Sequence, residues 1–487
     1  MQWLLAAMIV VPLVGGIALS LIPASLRRLA RPAALLLTGA VLAASAWLWF
    51  TFDSAAGMQF ELNLPWIPGL NTAFHLGVDG LALPMVFLTA LLTVLAVVAS
   101  RSIEDRVCQY FTLLLLLEAG LMGVFVSLDL ILFYLFWEVV LVPMYFLISI
   151  WGGANRSYAA LKFFIYTLAG SLAMLGGIIA LYLATGAKTF DMLEIAKQSA
   201  SLPREVQVAI FVAIAIGLAV KVPIWPLHTW LPDAHVEAPT AVSVLLAGVL
   251  LKMGSYGFMR LGPTLLPEGF KALLPLLAIL AVISIVYGAA VALVQTDMKK
   301  LVAYSSISHM GYVMLGIAAG TSAGFLGAQV QMFSHGLIAG LLFLLVGSVY
   351  ERTHTREISA YGGIAKVVPI FAGTLVFAAF ASLGLPGMSG FVGEFMVIVG
   401  ALPAHTAYAV IAAFAVMLTV GYLLWMVRRV AFGPLNEERA NMKDLTLSEG
   451  LSMAPLCVLI VFVGVYPQVL VGVMSSSVET LVHLVGR

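Results

Sequence analysis

Apolar stretches of about twenty residues recur from Trp3 to Leu470, each long enough to cross a hydrocarbon slab of roughly 30 Å as a helix. Between polar punctuation they fall near 3–22, 32–51, 76–100, 108–127, 129–150, 160–186, 208–227, 239–261, 271–294, 300–320, 323–350, 366–400, 405–427 and 447–470. That predicts an all-α, polytopic membrane protein with about fourteen spans. Only 10% of the residues are charged, against roughly 25% in soluble domains, which excludes a water-soluble core. The net charge of +1 and the lack of a basic stripe argue against a nucleic-acid partner. Cys108 and Cys457 sit far apart in apolar segments, so neither a disulfide framework nor a zinc site is expected. Met1 to Ile22 has no basic region before it and outruns the apolar core of a signal peptide, about 7–15 residues, so it reads as a retained span.

The loops between these spans alternate in charge. One set carries Arg27, Arg28, Arg31, Arg101, Arg106, Arg156, Lys299, Lys300, Arg352, Arg356, Lys366, Arg428, Arg429, Arg439 and Lys443; the other holds Lys188, Lys197, Arg204, Arg260, Lys271 and Arg487. Fifteen against six puts the first set in the cytoplasm and both termini on the periplasmic side. Val471 to Arg487 alternates apolar and polar residues, as expected of a helix lying on the outer surface.

Seven ionisable residues remain inside the spans, where a charge costs at least about 2.5–3.5 kcal/mol. They are Glu118, Glu138, Lys221, Lys252, His309, His335 and Glu394. A single polar residue in a span commonly just hydrogen-bonds a neighbouring helix, and that plain reading suits Glu118 or either histidine taken alone. Two lysines and two glutamates near mid-span need one another or water. Burial disfavours the charged form of such groups and a nearby opposite charge restores it. A lysine that gains and loses a glutamate partner can therefore take up and release a proton.

Two spans are interrupted by breakers beside a charge: Ala219 to Pro226, containing Lys221, Pro223 and Pro226, and Leu383 to Gly390, shortly before Glu394. Proline removes a backbone donor and glycine loosens the helix, so these breaks expose groups that need water or polar partners. As the seventh and twelfth spans they are separated by five, an odd number, which is the pattern of an inverted repeat. The segment from His228 to Glu237 superficially resembles a metal site, but Pro226, Pro232 and Pro239 argue against a helix that would converge ligands. It reads as a half-channel mouth, with His228 and Glu237 as candidate entry groups. Phosphate loops, dinucleotide fingerprints and iron–sulfur cysteine runs are absent from the sequence, so no cofactor and no redox step are expected in this chain.

The strings LPDAHVEAPTAVSVLLAGVLLKMGSYG, QTDMKKLVAYSSISHMGYV and GLPGMSGFVGEF resemble the antiporter-like membrane subunits of respiratory complex I, the bacterial NADH:quinone oxidoreductase, and the likeness spans nearly the whole chain. The resemblance implies that Glu138 pairs with Lys221, that Lys252 is central, that His309 and His335 relay protons, and that Glu394 links to the far side. It further implies two inverted five-helix repeats. The L-type and N-type subunits and the sodium/proton antiporter proteins carry lysine at the span-twelve position, whereas the M-type carries glutamate, as Glu394 does here.

The implied organisation is 1–106 for helices 1–3, 107–261 for the first repeat, 262–430 for the second, and 431–487 for helix 14 with an interfacial tail. The expected function is proton translocation across the bacterial inner membrane, driven by electron transfer in partner subunits that bind NADH and quinone. L-type and N-type subunits and lipids are the expected neighbours. A subunit of a cation/proton antiporter or membrane-bound hydrogenase would use the same path, and an inactive spacer is the remaining alternative.

Overall fold

The computed structural model describes residues 2–486; Met1 and Arg487, the outer ends of the first and last expected segments, lie outside the described residues. The chain is built almost wholly of helices. Helices α1 (Leu4–Ser20) and α2 (Ala30–Thr51) lead into a hairpin of β1 (Gln59–Ile67) and β2 (Thr72–Val78), followed by α3 (Ala82–Ala99) and α4 (Val107–Val126). Next come α5 (Leu130–Val139), α6 (Leu141–Trp151), α7 (Arg156–Ala184), the short α8 (Met192–Ser199), α9 (Arg204–Lys221), α10 (Trp230–Glu237), α11 (Thr240–Leu245) and α12 (Leu251–Leu265). The remainder comprises α13 (Pro267–Leu293), α14 (Met298–Ala319), α15 (Ser322–Thr353), α16 (Pro369–Ser382), α17 (Ser389–Ala401), α18 (Thr406–Ala431), α19 (Leu447–Val465) and α20 (Gln468–Val485).

Counting α5–α6 and α11–α12 each as continuous, twelve helices among the described residues are long and apolar enough to cross a membrane. Helices α1, α16 and α17 are apolar but shorter. Helices α12, α14 and α15 are almost entirely enclosed, so their polar residues must find partners within the protein. Helices α2 and α19 instead turn Leu36, Phe50, Val458 and Val465 outward. Such a surface requires a lipid or protein environment.

Four features depart from the sequence reading. Residues 76–78, expected to open the third span, belong to β2, and the helix starts only at Ala82. The prolines of the 228–237 segment, expected to argue against a helix, do not prevent one: α10 is helical, because Pro232 stands in its first turn, where a missing N–H breaks no intrahelical bond. Arg260 and Lys299, assigned to loops, are buried. The terminal helix begins at Gln468 and packs against α15 and α12 along one face. The two expected breaks are present, at 222–229 and 383–388.

Two further breaks carry no expectation. Helix α5 gives way to α6 at Val140, where Pro143 cannot supply the N–H that the Val139 carbonyl would accept. Between α11 and α12, Leu246–Leu250 forms a π-turn immediately before Lys252.

The loops gather at two ends. At one, Arg31 donates to the carbonyls of Ser100 and Arg101, Ser102 bonds Glu351, and Arg352 makes a paired contact with Glu449 at 2.6 and 2.7 Å. At the other, the hairpin pairs Asn63 with His75 and Leu64 with Phe74, and turns through Asn71 at a φ of 53°. His75 holds this hairpin to the bundle: Nδ1 lies 2.5 Å from Asp191 at the start of α8, and Nε2 lies 3.2 Å from Glu61 on β1. Asp129, which caps α5, also accepts the Ala73 N–H at 3.0 Å.

Burial opposes the charged form of His75, but the Asp191 and Glu61 carboxylates outweigh it and raise its pKa above the ordinary value. Burial likewise opposes ionisation of Asp191, yet its bonds to His75 and to backbone N–H groups hold its pKa below the ordinary value. The histidine contribution is complete below about pH 6.5 and fades as pH rises through its raised value; the aspartate contribution is complete above about pH 3.9 and fades as pH falls. Hydrogen exchange of 59–78, corrected for intrinsic rate, is therefore expected to be slowest between these limits and faster at pH 9. Asp191→Asn should flatten the difference; an unchanged profile in that variant would show that this contact does not anchor the hairpin.

Candidate functional site

Four of the six expected site residues form one connected row through the enclosed helices. Lys252 stands at the second position of α12, fully buried. Its Nζ donates to the Ala247 carbonyl in the π-turn and lies 2.7 Å from Nδ1 of His335 on α15. An ammonium can only donate, so when Lys252 carries the proton, Nδ1 of His335 accepts and the ring hydrogen sits on Nε2. That Nε2 has no hydrogen-bond partner.

The His335 ring stands 5.6 Å, centroid to centroid, from His309 on α14. His309 Nδ1 lies 2.8 Å from Oε1 of Glu394, in the second turn of α17, and its Nε2 lies 3.2 Å from Ser382 Oγ at the end of α16. Gln331 adds a 3.2 Å bond to the same glutamate oxygen. A small space is bordered by Ser305, His309, Gln331, His335, Ser382 and Glu394 together with the apolar Ile338, Ala339 and Leu342, so the two histidines and the glutamate line one gap.

Glu138 and Lys221 form a second group. Glu138 stands at the end of α5, partly exposed, with Oε1 buried and unpartnered. Lys221 is the last residue of α9, 1% exposed, and its Nζ likewise makes no hydrogen bond. The two residues implied to pair are thus neighbours without an ion-pair contact, and Glu138 is the acidic group whose field reaches the lysine. Glu118 on α4 is fully buried with both oxygens unpartnered and stands outside either group. His228 is buried against the Tyr287 ring, 5.0 Å between centroids. Glu237 caps the 152–155 turn by accepting the Asn155 N–H at 2.9 Å.

Several polar residues escaped the sequence reading. Lys299 donates to the Ala238 carbonyl at 2.5 Å beside a cavity of about 520 Å³, also lined by Tyr110, Glu237, Tyr350 and Arg356. His235 is fully buried with both ring nitrogens unpartnered, stacked on Phe343 at 4.5 Å. At the opposite end Arg260 pairs with Asp79 at 2.5 Å and donates to the Tyr256 hydroxyl at 3.0 Å. Gln331 precedes His335 by one helical turn, a same-face spacing that could have flagged it. No comparable signal marks Asp79 and Arg260, which lie 181 residues apart.

Among the described residues no cluster of His, Cys, Asp or Glu could hold a metal ion. The structure is thus a helical membrane bundle with broken helices beside buried ionisable side chains, the class of polytopic membrane protein. Residues 127–419 match the family described as NADH:quinone oxidoreductase/Mrp antiporter, TM, and the chain belongs to that family.

It is 46% identical over 445 residues to NADH-quinone oxidoreductase subunit M of Rhodobacter capsulatus, covering 89% of this chain and 86% of the relative. It is 39% identical over 454 residues to F(420)H(2) dehydrogenase subunit M of Methanosarcina mazei, 91% of each chain. A chain of respiratory complex I from Thermus thermophilus superposes with a TM-score of 0.91 at 33% identity, covering 99% of this chain and 100% of that one.

Helix α12, which carries Lys252, packs closely on α9, which carries Lys221. A Cβ on Gly254 would lie 2.6 Å from the Leu218 carbonyl oxygen and 2.9 Å from the Val222 N–H at the break beside Lys221. Gly254→Val is expected to cost about 1–3 kcal/mol or more through overpacking and to lower the inactivation temperature of the assembled complex by several degrees. Wild-type thermal behaviour would mean that the two helices can separate freely.

Proposed function

We propose that this chain is a proton-translocating membrane-arm subunit of a bacterial NADH:quinone oxidoreductase. It moves protons along Glu138, Lys221, Lys252, His335, His309 and Glu394 while partner subunits pass electrons from NADH to quinone. The observation that carries this reading is the row of buried side chains in which Lys252 bonds His335, His335 makes a 5.6 Å ring contact with His309, and His309 bonds Glu394. An ammonium, two imidazoles and a carboxylate in series offer alternating donors and acceptors, so a proton added at one end can displace one at the other.

Lys221 and Glu138 feed this row by changing partners. With Glu138 close, a proton on Lys221 is favoured; with Glu138 withdrawn, the cost of a lone buried charge drives it toward Lys252. The chain itself supplies no redox group. Its own residues bind, hold and pass protons, and the driving energy reaches it through contacts with neighbouring subunits of L and N type.

In this reading α9 with α10 and α16 with α17 are the broken seventh and twelfth of fourteen spans. The inverted repeats cover 107–261 and 262–430, and both termini face the periplasm. The mutual contacts of Arg31, Arg101, Arg352 and Lys443 at one end support a single cytoplasmic face. The relative named for F(420)H(2) dehydrogenase favours a second reading, in which the same path serves a complex with another electron donor. Co-purification with subunits that oxidise NADH separates the two.

Lys252→Met and Glu394→Ala are expected to lower proton pumping by the whole reconstituted complex about tenfold or more, the scale lost with one proton-transfer group. Assembly should survive, as judged by retention of all subunits. Pumping at the wild-type proton-to-electron ratio in both variants would refute the path and leave the chain a spacer.

A further inference from the structure

Lys221 is a buried lysine that makes no hydrogen bond, and its surroundings explain how it can remain so. The nearest backbone acceptors at the end of α9 are engaged elsewhere. The Leu218 carbonyl accepts from Val222, Ala219 from Ile224 at 2.9 Å, and Val220 from the Trp230 indole at 2.9 Å. What faces the ammonium is aromatic: Nζ lies 5.5 Å from the Trp137 ring centroid and 5.7 Å from that of Phe163.

Both rings are held in place. Trp137 packs on Phe133 at 5.7 Å, and Phe163 on Trp230 at 5.3 Å. The Trp137 N–H is buried without a partner, so the indole is not kept there by a hydrogen bond of its own. Trp137 is also the residue next to Glu138, which places the π-face and the carboxylate on one short stretch of α5.

We propose that Trp137 and Phe163 form an aromatic receptacle for the Lys221 ammonium, positioning residues that hold the charged side chain while Glu138 is disengaged from it. A cation within about 6 Å of a ring centroid is attracted by the negative face of the ring, and most strongly by an indole in a desolvated site. The receptacle gives Lys221 a resting place that is neither the glutamate nor Lys252, so its proton is kept during the exchange of partners. The inference rests on the reading of Lys221 as a proton carrier.

The test replaces Trp137 in the assembled complex with tryptophans bearing increasing numbers of ring fluorines, which drain the π-face while keeping size and shape. Proton pumping should fall stepwise along the series, by about fivefold from tryptophan to the tetrafluoro ring. Trp137→Phe should be intermediate and Trp137→Leu slowest. In a Lys221→Met background, itself slow, the fluorines should have no effect.

A flat fluorine series beside a slow Lys221→Met would overturn the receptacle and leave the carrier role standing, because packing alone does not respond to ring electron density. Wild-type pumping by Lys221→Met would overturn the carrier reading and the receptacle with it.

Discussion

A lysine ammonium inside an apolar bundle needs an oxygen or a π-face, and the main chain of an unbroken helix offers few oxygens to it, because its carbonyls are already paired with N–H groups. The breaks in the helices resolve this. Lys252 donates to Ala247 in the π-turn, where the repeat of i to i+4 bonds is disturbed. Lys299 donates to Val236 and Ala238, where α10 ends. Near the later break Ser334 donates to the Ser389 carbonyl at 3.0 Å. The irregular backbone acts as the solvent of the buried charges, so breaks and ionisable residues occur together.

The same constraint organises the rest of the bundle. Irregular backbone at membrane depth is tolerated only when it is surrounded by protein or lines a polar cavity. Accordingly α12, α14 and α15, which carry Lys252, His309 and His335, are enclosed by the other helices, while the outer helices show unbroken apolar surfaces. Small residues make the close approach possible. Gly248 and Gly336 bring α15 against the π-turn, since a Cβ on Gly336 would lie 2.9 Å from the Gly248 carbonyl oxygen. That approach lets His335 reach Lys252. The polar ends are then tied off separately, by Arg260 with Asp79 at one end and by Arg352 with Glu449 at the other.

The legible part of the fold follows from chemistry that acts locally. Long apolar runs announce helices in a membrane, and paired prolines and glycines at 223–226 and 384–390 announce the two marked breaks. The break at Val140 had a signal as well, Pro143 three residues on, but a proline early in a helix is common and carries little weight by itself. The π-turn had none, for Leu246 to Leu250 reads as ordinary apolar helix and its geometry comes from the helices around it. The hairpin was overrun by the apolar stretch that follows it, because Leu76, Val78 and Leu81 suit a strand or a span equally.

By itself the sequence determined which residues must be accommodated: ionisable groups embedded in apolar segments, whose burial cost marks them whatever their neighbours. Which of them meet was decided by tertiary structure. Lys252 and His335 are 83 residues apart, His309 and Glu394 are 85 apart, and nothing local to either member specifies the other. The separation of Lys221 from Glu138, and its place between two aromatic rings, belongs to the same level. A hydrogen bond or a cation over a ring depends on angstrom-scale placement, and only the packing of whole helices sets distances that fine.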